Sequence, residues 1–79
     1  MKTATLTWDS EERSAAVELL GEDLVADTKL VAAFLEVEPW RCVNLPATPE
    51  VVLRWTADLL EQLGYQVTVG AGAAAVAVH

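Results

Sequence analysis

Apolar and polar residues alternate with a period of two over residues 3–8, TATLTW. Ala4, Leu6 and Trp8 fall on one side, Thr3, Thr5 and Thr7 on the other. Such alternation predicts a strand with one buried and one solvated face, and threonine suits the solvated side. The pattern then changes. Asp9 and Glu12 have the spacing of a capping box, with Asp in place of Ser or Thr. From about Ser10 to Leu20, Ala16, Val17 and Leu20 recur at helical intervals, Leu24 continues the series, and Gly21 offers a stop. A first helix is predicted there.

The strongest helical signal is TPEVVLRWTADLLEQLG, residues 48–64. Thr48 can cap the first turn, Pro49 loses nothing at the first helical position, Glu50 complements the helix dipole, and Gly64 can take the left-handed turn that ends a helix. Val52, Trp55, Leu59 and Leu63 form an apolar stripe flanked by Val51 and Leu60, while Glu50, Arg54 and Asp58 follow at i, i+4 on the other side. Each charge pair contributes about 0.2–0.5 kcal/mol. Burial of one large side chain contributes about 1.5–3 kcal/mol. The stripe therefore decides where the helix packs, and a sheet or a second helix must cover it.

Residues 24–38 admit two readings. As a helix, Asp27 caps it and Val31, Phe34 and Leu35 face inward. As a strand, it starts near Lys29 and ends in the alternation Leu35-Glu36-Val37-Glu38. Periodicity does not separate the two over so short a run. The strand is preferred because Arg41-Cys42-Val43-Asn44-Leu45 supplies a partner strand. Glu38-Pro39-Trp40-Arg41 then forms the hairpin turn, with proline in its second position. Beyond Gly64, Tyr65, Val67 and Val69 alternate with Gln66 and Thr68 as another strand. Gly70-Ala71-Gly72 reads as a turn, and Ala73 to Val78 as a last strand of small residues. The expected fold is α+β, residues 1–79 as one domain. It is a two-layer sandwich with two helices on one face of a mostly antiparallel sheet of 4–5 strands, the ferredoxin-like order βαββαβ plus a C-terminal strand. If residues 24–37 are helical, the order becomes βαβαββ.

A chain of 79 residues buries only about 60–65% of its unfolded surface. An apolar fraction of 53% offsets this and argues against disorder. No apolar run reaches the roughly 18–20 residues of a membrane span, and MKTATLTWDSEE lacks the apolar core of a signal peptide. A single cysteine permits no internal disulfide, which favours a reducing, cytoplasmic setting. The net charge of −7 disfavours direct binding to nucleic acid or to an anionic membrane. Seven of the twelve acids lie between Asp9 and Asp27, against one base, Arg13. Glu11, Glu12, Glu18, Glu22 and Asp23 thus form a candidate acidic face for a basic partner. Its plainer reading is a solvated helix face.

No cofactor, metal or catalytic residue is assigned. Gly70-x-Gly72-x-x-Ala75 follows a strand, but the seven residues after Gly72 cannot build the helix that holds a pyrophosphate. Cys42 and His79, the only thiol and imidazole, cannot make a four-ligand zinc site. Cys42 reads as a small buried hydrophobe. The abundant carboxylates lack a cleft that would tune them, and catalysis by the isolated chain is not expected. Trp40 stands beside Pro39 with Glu38 and Arg41. Trp and Arg are enriched at binding hot spots, so the indole either folds over the core or faces a partner. Trp8 and Trp55 lie on apolar stripes and read as core. The leading expectation is a non-catalytic interaction module, a homo-oligomer or a binder of a protein partner, using Trp40, Arg41 and Glu38 and the last strand's edge. Two alternatives remain: a small-ligand-binding or enzyme-accessory domain with a pocket at a dimer interface, and an acidic inhibitor mimicking nucleic acid.

Overall fold

A computed structural model describes residues 2–22 and 24–69. Within them the chain forms β1 (Thr3–Asp9), β2 (Ser14–Leu20), α1 (Leu24–Val37), a short 3-10 helix (Pro39–Val43), α2 (Pro49–Gln62) and β3 (Gln66–Val69). The sheet has three strands in the order β2-β1-β3. β1 and β2 are an antiparallel hairpin, Asp9 opposite Ser14 and Thr3 opposite Leu20. β3 returns parallel to β1, with Ala4 beside Val67 and Leu6 beside Val69.

The alternation in TATLTW fixes which face is covered. Ala4 and Leu6 are buried, and the register places Leu19, Val17, Val67 and Val69 on their side. Both helices pack on this face, and the core gathers Ala4, Leu6, Ala15, Val31, Trp40, Val52, Leu53, Leu60 and Tyr65. The other face carries Thr3, Thr5, Thr7, Glu18, Leu20, Gln66 and Thr68, and no helix packs on it among the described residues.

The expected α+β class with two helices on one face stands, but the four- to five-stranded, mostly antiparallel sheet does not. Three strands form a mixed sheet, in neither the ferredoxin-like order nor βαβαββ. The expected helix over residues 10–20 is a turn followed by β2. Asp9 binds the amides that its spacing with Glu12 suggested, without a helix to cap. Its Oδ1 accepts from the N–H of Glu11 at 3.0 Å and of Glu12 at 3.2 Å, and this closes an Asx turn at the hairpin tip, with Arg13 left-handed at φ 53°. Residues 24–37 are helical, with Val31 buried and Phe34 and Leu35 half-buried. The strand expected over 41–45 is instead the 3-10 helix and its exit, because Pro39 starts a helical turn. The turn and strand expected over residues 70–78 lie outside the described residues.

The α2 boundaries follow the sequence signals. Thr48 Oγ1 accepts from the Val51 N–H at 3.3 Å. At the other end the Tyr65 N–H donates to the Leu60 carbonyl and the Gly64 N–H to the Glu61 carbonyl, both at 3.0 Å, with Gly64 at φ 93°. That pair of bonds is a Schellman motif, which turns the chain directly into β3. The buried line of α2 is rotated from the expected one: Val52, Leu53, Thr56 and Leu60 are fully covered, while Trp55, Leu59 and Leu63 are half-buried. Thr56 tolerates full burial because its hydroxyl donates to the Val52 carbonyl at 2.7 Å.

Candidate functional site

Trp40 belongs to the core. It is 2% exposed, and the 3-10 helix that carries it lies against α2. Its ring meets Phe34 of α1 edge-on at 6.0 Å and Trp55 of α2 at 6.4 Å between centroids. The indole N–H meets no acceptor among the described residues. The folded-back alternative therefore holds, and Trp40 is not available as an anchor for a partner. Arg41 and Glu38 remain at the surface, paired at 3.4 Å between Nε and Oε2. An exposed pair of this kind contributes at most about 1 kcal/mol. Glu38 also holds a left-handed conformation at φ 53°, where it ends α1 with its N–H on the Phe34 carbonyl at 3.1 Å. Cys42 is exposed, not the buried hydrophobe its isolation suggested.

The acids do not share one helix face, because that helix is absent. Glu11 and Glu12 sit at the hairpin tip, Glu18 on the uncovered sheet face and Glu22 beyond the opposite end of β2. Asp23 lies outside the described residues.

One polar cluster ties three elements. Asp27 of α1 accepts from Tyr65 Oη at 2.7 Å and from Lys2 Nζ at 3.2 Å. Lys2 also donates to the Leu63 carbonyl at 3.3 Å and lies 5.1 Å above the Tyr65 ring. The Tyr65 hydrogen bond is the largest cause holding the Asp27 carboxyl below its ordinary range; burial opposes it, and the hydrogen bond and charge of Lys2 add to the lowering. The cluster fastens the start of β1, the first turn of α1 and the α2–β3 junction. Its three side chains satisfy one another, so it reads as a structural tie. Among the described residues no group of three or more His, Cys, Asp or Glu is placed to hold a metal ion.

The feature without a structural purpose is the outside of α1. LVADTKLVAAFLEV has polar residues only at Asp27, Thr28, Lys29 and Glu36, so the helix is apolar nearly all round. Such a helix normally lies deep in a core, yet only Val31 is buried. Ala26, Leu30, Ala33 and Val37 recur at i, i+4, i+7 and i+11, within an arc of about 60° at 3.6 residues per turn. All four are exposed, Leu30 by 46% and Val37 by 68%. Beside this stripe, Leu30, Ala33, Phe34, Val37, Pro39 and Leu59 line an open apolar groove of about 290 Å³. A second groove, also about 290 Å³, runs between β2 and the other flank of α1, where Val17, Leu19, Leu24 and Leu35 line it with Thr28 as a polar group. Sequence reasoning missed the outer stripe because residues 24–38 were preferred as a strand. Read as a helix, the i, i+4, i+7, i+11 spacing is plain.

Comparison with protein-family models, curated proteins and solved structures finds no match. Among the described residues no helix is long and apolar enough to cross a membrane. The functional reading therefore rests on the surface of the fold itself.

Proposed function

We propose that this chain is a non-catalytic protein-interaction module, self-associating or binding a protein partner, and that the outer stripe of α1 is its contact surface. One observation carries the reading: in a 14-residue helix, apolar nearly all round, only Val31 is fully buried among the described residues and Phe34 and Leu35 are half-covered, while Ala26, Leu30, Ala33 and Val37 stay exposed. Covering the exposed apolar side chains would stabilise a complex by about 25 cal/mol per Å² removed from water, before the costs of association. Small side chains at Ala26 and Ala33 allow a partner's backbone or a large side chain to approach closely. A cytoplasmic setting suits the exposed, unpaired thiol of Cys42.

The test is photo-cross-linking from two positions in cells producing the protein. A photoreactive residue at Ala33 is expected to give a discrete protein adduct, lost on Leu30→Asp. The same probe at Thr5, on the uncovered sheet face, is expected to give none. Absence of any adduct from position 33 would overturn the reading.

The groove between β2 and α1 favours a second reading, a small-ligand-binding or accessory domain taking an apolar ligand. It predicts a ligand-dependent rise in melting temperature. A flat response across a panel of apolar metabolites would count against it.

A further inference from the structure

The proposed contact surface leaves open what covers it. We infer that its occupant is a second copy of this chain, whose α1 crosses the first in antiparallel orientation. This rests on the interaction reading above and names the partner.

Size complementarity is the first support. Along the outer stripe the residues run Ala26, Leu30, Ala33, Val37, alternating small and large. About a two-fold axis near Val31 and Ala32, the antiparallel stripe sets Leu30 against the partner's Ala33 and Ala26 against the partner's Val37. Every large side chain then meets a small one, and the contact is isologous, as a closed dimer requires. The groove beside Ala33 and Phe34 gives the incoming Leu30 a place to seat. A parallel crossing in register would instead stack Leu30 on Leu30 and Ala33 on Ala33, leaving gaps between the small pairs.

Charge complementarity is the second support. Lys29 and Glu36 are charged residues that flank the stripe on the same side, one toward each end. Both are exposed, and neither has an ion-pair partner among the described residues. In an antiparallel two-fold pair, equivalent flanks adjoin, so Lys29 of each copy lies near Glu36 of the other. Like-charged neighbours would disfavour this register, and a parallel pair would not bring Lys29 to Glu36.

Charge reversal tests the geometry, read as the dimer dissociation constant by sedimentation equilibrium. K29E alone and E36K alone each place like charges together twice per dimer and are expected to weaken association about tenfold. The double variant K29E/E36K restores the pairs and is expected to regain wild-type association. An equimolar mixture of the K29E and E36K chains is expected to form the mixed dimer in preference to either homodimer. Circular dichroism controls for folding. If the wild type dimerises but all four preparations associate alike, the antiparallel α1 crossing is overturned while the interaction module stands. If the wild type is a monomer and the probe at position 33 cross-links another protein, or residues 70–79 of its own chain, the second copy is overturned as occupant. If that probe finds no protein at all, the interaction reading falls as well.

Discussion

At the scale of single residues, Asp27 and Trp40 do different work from that suggested by composition. Asp27 is one acid among twelve, yet it joins Lys2 and Tyr65 across three elements. Its folded-state pKa is lowered, first by the Tyr65 hydrogen bond. Its contribution to stability is therefore present above the unfolded carboxylate pKa of about 3.9 and is lost as pH falls through the lower folded value. Thermal melts of wild type and Asp27→Asn from pH 6 downward should show a gap in melting temperature that narrows below about pH 4. A gap constant with pH would contradict this. Tyr65→Phe removes the leading cause of the shift, so the Asp27 pKa measured by NMR should rise. Trp40 was legible as important from its neighbours, but burial makes it a core residue. Trp40→Ala should cost about 3–5 kcal/mol in urea denaturation, a large part of what a small domain has. Loss of assembly with unchanged stability in that variant would instead place Trp40 in an interface.

At the scale of elements, legibility followed the quality of the end signals. α2 was readable because Thr48, Pro49 and Gly64 mark its ends and its charged side is continuous. Thr48→Ala should cost about 1 kcal/mol. Gly64→Ala should cost a similar amount, about 1 kcal/mol, through backbone strain alone, since an added Cβ would meet nothing within 4 Å. Equilibrium unfolding checks both, and a neutral Gly64→Ala would argue against the Schellman turn. β1 and β3 were readable because their alternation is clean. β2 was not: Ala16 and Leu20 put apolar residues on its outer face, and that blurs the period of two into apparent helical spacing. Asp9 reinforced the error, since an Asx turn and a helix cap use the same carboxylate and the same amides. α1 failed for the opposite reason. Apolar residues all round leave no polar stripe to reveal the period, and Pro39, which starts the 3-10 helix, looked like the corner of a hairpin.

At the scale of the whole molecule, two helices on one face of an α+β sheet were legible, but the strand order was not. Moving one helix assignment from residues 10–20 to 24–37 keeps the helix count and changes the topology. The candidate site was less legible than the fold. Glu38, Trp40 and Arg41 turned out to end one helix, fill the core and pair on the surface, and the five acids of the expected face are not gathered on a helix. The surface left uncovered among the described residues becomes apparent only with α1 lying on the sheet and one side turned out. If that outer stripe is the contact surface between copies, assembly should depend on Leu30 and not on the fold's stability. Light scattering coupled to size exclusion, over a range of concentrations, is the direct measurement. The wild-type mass should approach twice the 8.5 kDa of one chain as concentration rises, while Leu30→Asp, with an unchanged circular dichroism spectrum, stays at one chain. A wild type that remains at one chain throughout, or a Leu30→Asp variant that assembles equally well, would contradict it.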